Sequence, residues 1–231
     1  MQNTNLAPFS RRFFGVIGLA ALLAGASGCT ATSNYMIQPQ MPVPLVAPPD
    51  AALVVFLRPS GYGSAVATTI LDDRGAFLGD SIGGTEFAVA LPPGQHVFLA
   101  WAENTAPLRA ELLPSRVYYV EVSPRMGWWS TRIQLLALSP RSEHWNRIGE
   151  WLHDTSQLVP DTAAGQAYLN DRAKEVAERI RRAHERLTQL DAEELEQRTL
   201  LPQDGVANGA PALVPIAPAP PPIAPPPAPP Q

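Results

Sequence analysis

The amino-acid sequence predicts a mainly β fold with C-terminal α structure. An antiparallel β-sandwich of about seven to eight strands is expected over residues 51–138, then a short helix and a long amphipathic helix over 139–202. Three observations carry that expectation. Runs of β-branched, aromatic and aliphatic residues between Leu53 and Leu138 are broken repeatedly by Gly, Pro and Asp. Ser139-Pro140 pairs a hydroxyl cap with a first-turn proline, which starts a helix. Beyond Ala164, the residues Leu169, Ala173, Val176, Ile180, Ala183, Leu187 and Leu190 recur at alternating spacings of four and three, a heptad seam.

The first 28 residues are of a different kind. Met1 to Ser10 is polar and uncharged, Arg11 and Arg12 are positive, Phe13 to Ala26 is almost wholly apolar, and Ser27-Gly28 leads into Cys29. This is the order of a secretory signal peptide, and the apolar run is shorter than the ~20 residues of a spanning helix. Ala26-Ser27-Gly28-Cys29 resembles the lipobox of bacterial lipoproteins, with alanine standing where leucine is commonest. The resemblance implies a diacylglycerol on the Cys29 thiol, cleavage before it, and a chain held in a membrane by its lipidated N-terminus. Ser10-Arg11-Arg12-Phe13-Phe14 also resembles the twin-arginine export motif, without the basic residue often found shortly after it. An ordinary signal whose charge is two arginines is the other reading. Thr30, in place of aspartate after the cysteine, resembles lipoproteins sorted to the outer membrane.

Residues 29–50 hold Pro39, Pro42, Pro44, Pro48 and Pro49 and no charge before Asp50, which predicts a semi-rigid spacer next to the membrane. Leu53 to Arg58 is an apolar strand ended by Pro59. Ala65 to Leu71 and Ala76 to Ile82 flank Asp72-Asp73-Arg74-Gly75, an acidic opening and a glycine close that suit a turn. Gly83-Gly84 suits a two-residue hairpin, and Pro92-Pro93-Gly94 a type II turn. Strands are also expected over Thr85 to Leu91, which alternates with Phe87, Val89 and Leu91 on one face, and over Gln95 to Trp101, Pro107 to Leu112, Val117 to Val122 and Thr131 to Leu138. The strands at Val97-Phe98-Leu99 and Val117-Tyr118-Tyr119-Val120 are apolar on both faces, so the helices that follow are expected to cover the sheet.

The first of those helices carries Trp145, Ile148 and Leu152 on one face and fades near Asp154; the second is expected from about Ala164 to about Leu200. Its seam serves either packing on the sheet or an intermolecular coiled coil that makes a homo-oligomer. Residues 203–231 become almost only Pro, Ala and aliphatics, a tail expected to be disordered or polyproline II.

Ala52 to Arg58, Leu91-Pro92-Pro93-Gly94-Gln95-His96 and Arg116-Val117-Tyr118-Tyr119-Val120 resemble the motifs of a bacterial envelope domain catalogued as domain of unknown function 2846. The resemblance spans about Ala51 to Leu138. It implies a small β-sandwich, often found in lipoproteins, and brings no activity and no functional residues.

The chemistry on offer is sparse. The formal charge is −4, and without Arg11 and Arg12 the chain has 15 basic against 21 acidic residues, which gives no electrostatic footprint for nucleic acid. One cysteine excludes an internal disulfide. His96, His144, His153 and His184 form no i,i+4 pair, so they read as one strand histidine and three on helix surfaces, with no metal and no cofactor expected. Gly61-Tyr62-Gly63 is a loop, because Val66 replaces the third glycine of a dinucleotide fingerprint. No G-x-S-x-G elbow is present, and Asp72 and Asp73 belong to their turn. Trp128 and Trp129, beside Gly127, either plug the end of the sandwich or form a docking surface.

The expectation is a lipid-anchored envelope module, without catalysis, that binds or scaffolds a protein partner through its helix or its proline-rich tail. An envelope hydrolase assembled from distant residues, or an accessory subunit of an export or surface assembly, are the competing classes.

Overall fold

The computed structural model describes residues 32–59, 67–126 and 131–208. In chain order the strands are β1 (Met36–Ile37), β2 (Ala52–Arg58), β3 (Thr68–Asp72), β4 (Phe77–Ser81), β5 (Thr85–Leu91), β6 (Gly94–Trp101), β7 (Thr105–Leu112), β8 (Arg116–Met126) and β9 (Thr131–Leu138). There follow helix α1 (Ile148–Asp154), β10 (Ser156–Pro160), α2 (Thr162–Asn170), α3 (Ala173–Gln189), α4 (Ala192–Gln197), β11 (Thr199–Leu200) and β12 (Val206–Ala207). The chain is mostly β with a few helices, as its composition and turn pattern predict.

Two sheets face each other. One has the order β1-β10-β5-β2-β8, with β9 and β12 sharing the far edge of β8; the other has the order β11-β7-β6-β3-β4. Neither is purely antiparallel, which corrects the sequence expectation: β2 runs parallel to β8, β10 to β5 and β11 to β7. The reason lies in the turns. The link around Gly83-Gly84 does not make a hairpin. It carries the chain from β4 in one sheet to β5 in the other, where the Gly84 N–H donates to the Arg58 carbonyl at 2.8 Å. Pro92-Pro93-Gly94 is likewise a corner between sheets, with Gly94 at φ +118°. Strands that change sheet at each corner return beside strands laid down much earlier, so parallel pairs form without a helical crossover in each one. The Asp72 turn does close a hairpin, its Oδ1 accepting from Arg74 N at 2.9 Å and Ala76 N at 2.7 Å.

β2 shows how the sequence makes four layers. All seven of its residues are buried because it lies inside its sheet with both faces covered. Ala52, Val54 and Phe56 point between the sheets, against Ile70, Phe98 and Leu108 of the opposite sheet. Leu53, Val55 and Leu57 point outward, under Ile148 and Trp151 of α1 and under Leu45 and Ala47. On the far side of the second sheet, Leu71 and Leu99 meet Leu169 of α2 and Val176 and Ala183 of α3. The Asn104 side chain donates to Ile133 O at 2.8 Å and accepts from Ile133 N at 2.9 Å, tying the β6–β7 turn to β9 across the layers.

The long helix expected over 164–200 is three helices. Asp161 caps α2, accepting from Ala164 N at 3.0 Å, and Asp191 caps α4, accepting from Glu194 N at 2.8 Å. Asn170-Asp171-Arg172 interrupts the seam, and Leu190 turns extended (ψ 139°). Asn and Asp compete for backbone hydrogen bonds and are poor helix-interior residues, so the apolar spacing survives while the helix does not. Within the chain, Leu169, Val176, Ile180 and Ala183 of the seam pack against the second sheet, while Ala173 is exposed. Ser139-Pro140 does not start a helix either. The Ser142 hydroxyl donates to Ser139 O at 2.8 Å and closes a local turn, and helical structure begins only at Trp145.

α2 sits so close to β4 that Gly165 is a packing requirement: a Cβ there would stand 2.2 Å from the Phe77 ring. Gly165→Ala is expected to destabilise the fold by about 1–3 kcal/mol by overpacking. This opposes the roughly 1 kcal/mol that alanine gains over glycine in a helix interior. Thermal unfolding of the two proteins reads the sign directly.

The proline-rich segment does not stand away from the body where it is described. The Ser33 hydroxyl donates to Asp80 Oδ2 at 2.5 Å, and β1 pairs with β10. Further on, the Gln157 carboxamide holds both the N–H and the carbonyl of Val43, and the Asn208 carboxamide holds both of Ala47. Prolines remove ladder donors, so side-chain amides pin the segment at its non-proline residues. The strands at residues 36–37, 156–160, 199–200 and 206–207 were not expected.

Candidate functional site

On the outer face of the first sheet β8 alternates Val117, Tyr119, Glu121, Ser123 and Arg125. The first two lie beneath the α1 layer. Glu121 lies just past that apolar cover, in register with Leu57 of β2 and Leu136 of β9. It forms the floor of a cleft of about 290 Å³ walled by Leu136 to Ser139, Arg141 to His144 and Glu193 and Glu196 of α4.

Two polar pairs organise the cleft. His144 Nδ1 lies 2.7 Å from Glu121 Oε2, and the imidazole stands edge-on to the buried Trp151 at 5.3 Å between centroids. Glu121 is 6% exposed and the His144 side chain 30%, so the carboxylate is the inner and the ring the outer partner. Arg141 makes a bidentate pair with Asp204, both contacts 3.0 Å, and Asp204 Oδ2 also accepts from Leu201 N at 2.8 Å. The Asp204 side chain is fully buried, so the guanidinium answers a charge that would otherwise be uncompensated. Glu196 approaches the same arginine at 3.5 Å.

The Glu121 carboxylate fixes the His144 ring and leaves Nε2 as the nitrogen that faces elsewhere. With Nδ1 donating to the carboxylate, Nε2 is the atom that can accept a hydrogen bond from a ligand. The neighbouring hydroxyl of Ser142 donates to Ser139 O, and the Ser139 hydroxyl accepts from Arg141 N at 3.3 Å, so both serve the turn. Among the described residues no group of three His, Cys, Asp or Glu is placed to hold a metal ion.

The other histidines serve locally. His96 Nε2 meets Pro92 O at 2.8 Å beside its corner, His184 faces Asp73 at 3.6 Å, and exposed His153 pairs with adjacent Asp154. His144 precedes α1 and departs from the helix-surface placement expected for it. Sequence spacing gave no sign that it meets Glu121. The one signal was Glu121 itself, a carboxylate inside the apolar strand Val117 to Val122. The expected site residues Arg11, Arg12, Ala26, Ser27, Gly28, Cys29, Trp128 and Trp129 lie outside the described residues, as do residues 209–231 of the tail. Among the described residues no helix is long and apolar enough to cross a membrane.

No family model, characterised protein or solved structure matches this chain.

Proposed function

We propose that the chain is an exported lipoprotein, anchored through Cys29 in the bacterial envelope, whose β-rich body is a non-catalytic binding or scaffolding module. The observation that carries this reading is the order Arg11-Arg12, apolar Phe13 to Ala26, then Ala26-Ser27-Gly28-Cys29, directly before a folded body. Two or three acyl chains on one residue anchor a protein stably in a bilayer, where one alone holds it marginally. Thr30 supports the outer membrane as the destination. The resemblance to domain of unknown function 2846 is part of the same proposal. The cleft at Glu121 and His144 is the candidate ligand site of the module, suited to a small polar molecule that donates to the imidazole.

Cys29→Ser is expected to move the protein from the membrane pellet to the soluble fraction, and the intact mass of the native mature chain to include fatty acyl groups. A Cys29→Ser protein that still sediments with membranes would sink the reading.

The Glu121–His144 pair also favours a second reading, a hydrolase in which His144 activates water. Water would itself be the nucleophile there, since Ser139 and Ser142 serve the turn, and Arg141 is already paired with Asp204. The two readings separate on turnover: His144→Gln abolishes hydrolysis of a substrate if the pair is catalytic, and alters only ligand affinity if it is not.

A further inference from the structure

We infer that the segment Ile37 to Val46 is a lipid-contacting strip, and that it sets how the body sits on the bilayer. The inference rests on the lipoprotein reading above. Ile37, Met41, Val43 and Val46 are 53%, 78%, 48% and 57% exposed; among the described residues one other large hydrophobic, Leu113, is classed as exposed. Four such residues in ten, with no charge anywhere from Thr30 to Pro49, concentrate exposed apolar side chains in one segment, where an ordinary exterior scatters them singly.

The strip is built, not frayed. Tyr35 is held between Phe77 and Tyr168, with ring centroids 6.1 and 5.0 Å away. β1 is hydrogen-bonded to β10, and the Gln157 and Asn208 carboxamides fix Val43 and Ala47. Leu45 and Ala47 turn inward onto the first sheet, while Met41, Val43 and Val46 turn out.

Chain length decides the occupant. Ser33, fixed to Asp80, is four residues beyond Cys29, a span of at most about 14 Å even when fully extended. A cysteine embedded in lipid therefore holds the body against the surface, and Ile37 is the first exposed apolar residue after the fixed point. The strip starts beside β4 and α2, where Ser33 and Tyr35 are held, follows the β1 edge of the first sheet, and reaches that sheet's outer side at Leu45 and Ala47. The charged face of α3, with Glu178, Arg181 and Arg182, lies beyond the second sheet on the opposite side. Apolar side chains at headgroup depth also add a second attachment to the acyl anchor.

The test uses the mature lipidated protein in vesicles of phosphatidylethanolamine and phosphatidylglycerol. Met41→Cys and Gln189→Cys each carry an environment-sensitive fluorophore, since the Cys29 thiol is consumed by acylation. Both positions are exposed. The label at 41 is expected to shift blue on reconstitution and to be quenched several-fold more by spin-labelled lipid than the label at 189. Equal quenching at 41 and 189, in a chain whose intact mass includes the acyl groups, overturns the strip and leaves the anchor standing. A label at 41 already blue-shifted without lipid, and insensitive to the quencher, also overturns it, because residues 209–231 or a second copy then cover the strip. A mature mass without acyl groups removes the anchor and the strip together.

Discussion

Phe56→Ala is expected to lower the unfolding free energy by about 3–5 kcal/mol, close to the upper end of single-residue effects in protein cores. Phe56 is 1% exposed and belongs to β2, the strand flanked by β5 and β8. It is the direct cross-strand partner of Phe87, and their rings stack at 5.0 Å and 20°. Phe98, from the other sheet, meets it edge-on at 5.6 Å and 80°. One ring thus joins both sheets, and such aromatic pairs add about 0.5–1.5 kcal/mol beyond the area they bury. The surroundings have little freedom to collapse into the hole. Phe87 is already pressed on the β4 backbone, where a Cβ at Gly79 would stand 2.6 Å from its ring. Leu113→Ala is the control: Leu113 is 42% exposed, and its loss is expected to stay within about 0.5 kcal/mol. Denaturant unfolding of the three proteins checks this. A Phe56→Ala loss below about 1 kcal/mol would show that Phe56 does not bridge the sheets.

What the sequence disclosed follows from which interactions are local. The strands from Leu53 to Leu138 were legible because residues that alternate or run apolar must sit in a half-covered or fully covered sheet, whichever strand pairs with which. The partners were not legible. Gly83-Gly84 satisfies a hairpin and a corner equally well, and only the bond from Gly84 to Arg58 in the other sheet separates them. The helix seam was legible as an apolar stripe, but spacing does not register a break at Asn170-Asp171-Arg172 that leaves Leu169 and Val176 in one cluster. Strands of two residues, such as Met36–Ile37 and Val206–Ala207, carry no period at all; each exists because a neighbouring strand, β10 or β8, offers a free edge. The cleft was least legible. His144 and Glu121 belong to different elements and meet through the turn that Ser139 and Ser142 close.

A second large effect should appear on titration. Glu86 lies on β5, 5% exposed, on the outer face of the first sheet beneath the end of α1, and burial pushes its carboxyl from 4.5 up to about 7. The Thr155 hydroxyl donates to Trp151 O at 2.8 Å and also contacts Glu86 Oε2. A folded-state pKa above the unfolded one penalises folding once the unfolded chain ionises. The penalty is absent below about pH 4.5, grows by about 1.4 kcal/mol per pH unit to about pH 7, and is constant above. Its full size is about 3 kcal/mol. Glu86→Gln keeps a donor for Thr155 and cannot ionise. The variant is therefore expected to match wild type near pH 4.5 and to exceed its stability by about 3 kcal/mol at pH 8. Denaturant unfolding of both proteins across that range isolates the group, since every other titration is common to the two. A difference between them that stays flat from pH 4.5 to 8 would mean that Glu86 ionises as freely in the folded chain as in the unfolded one.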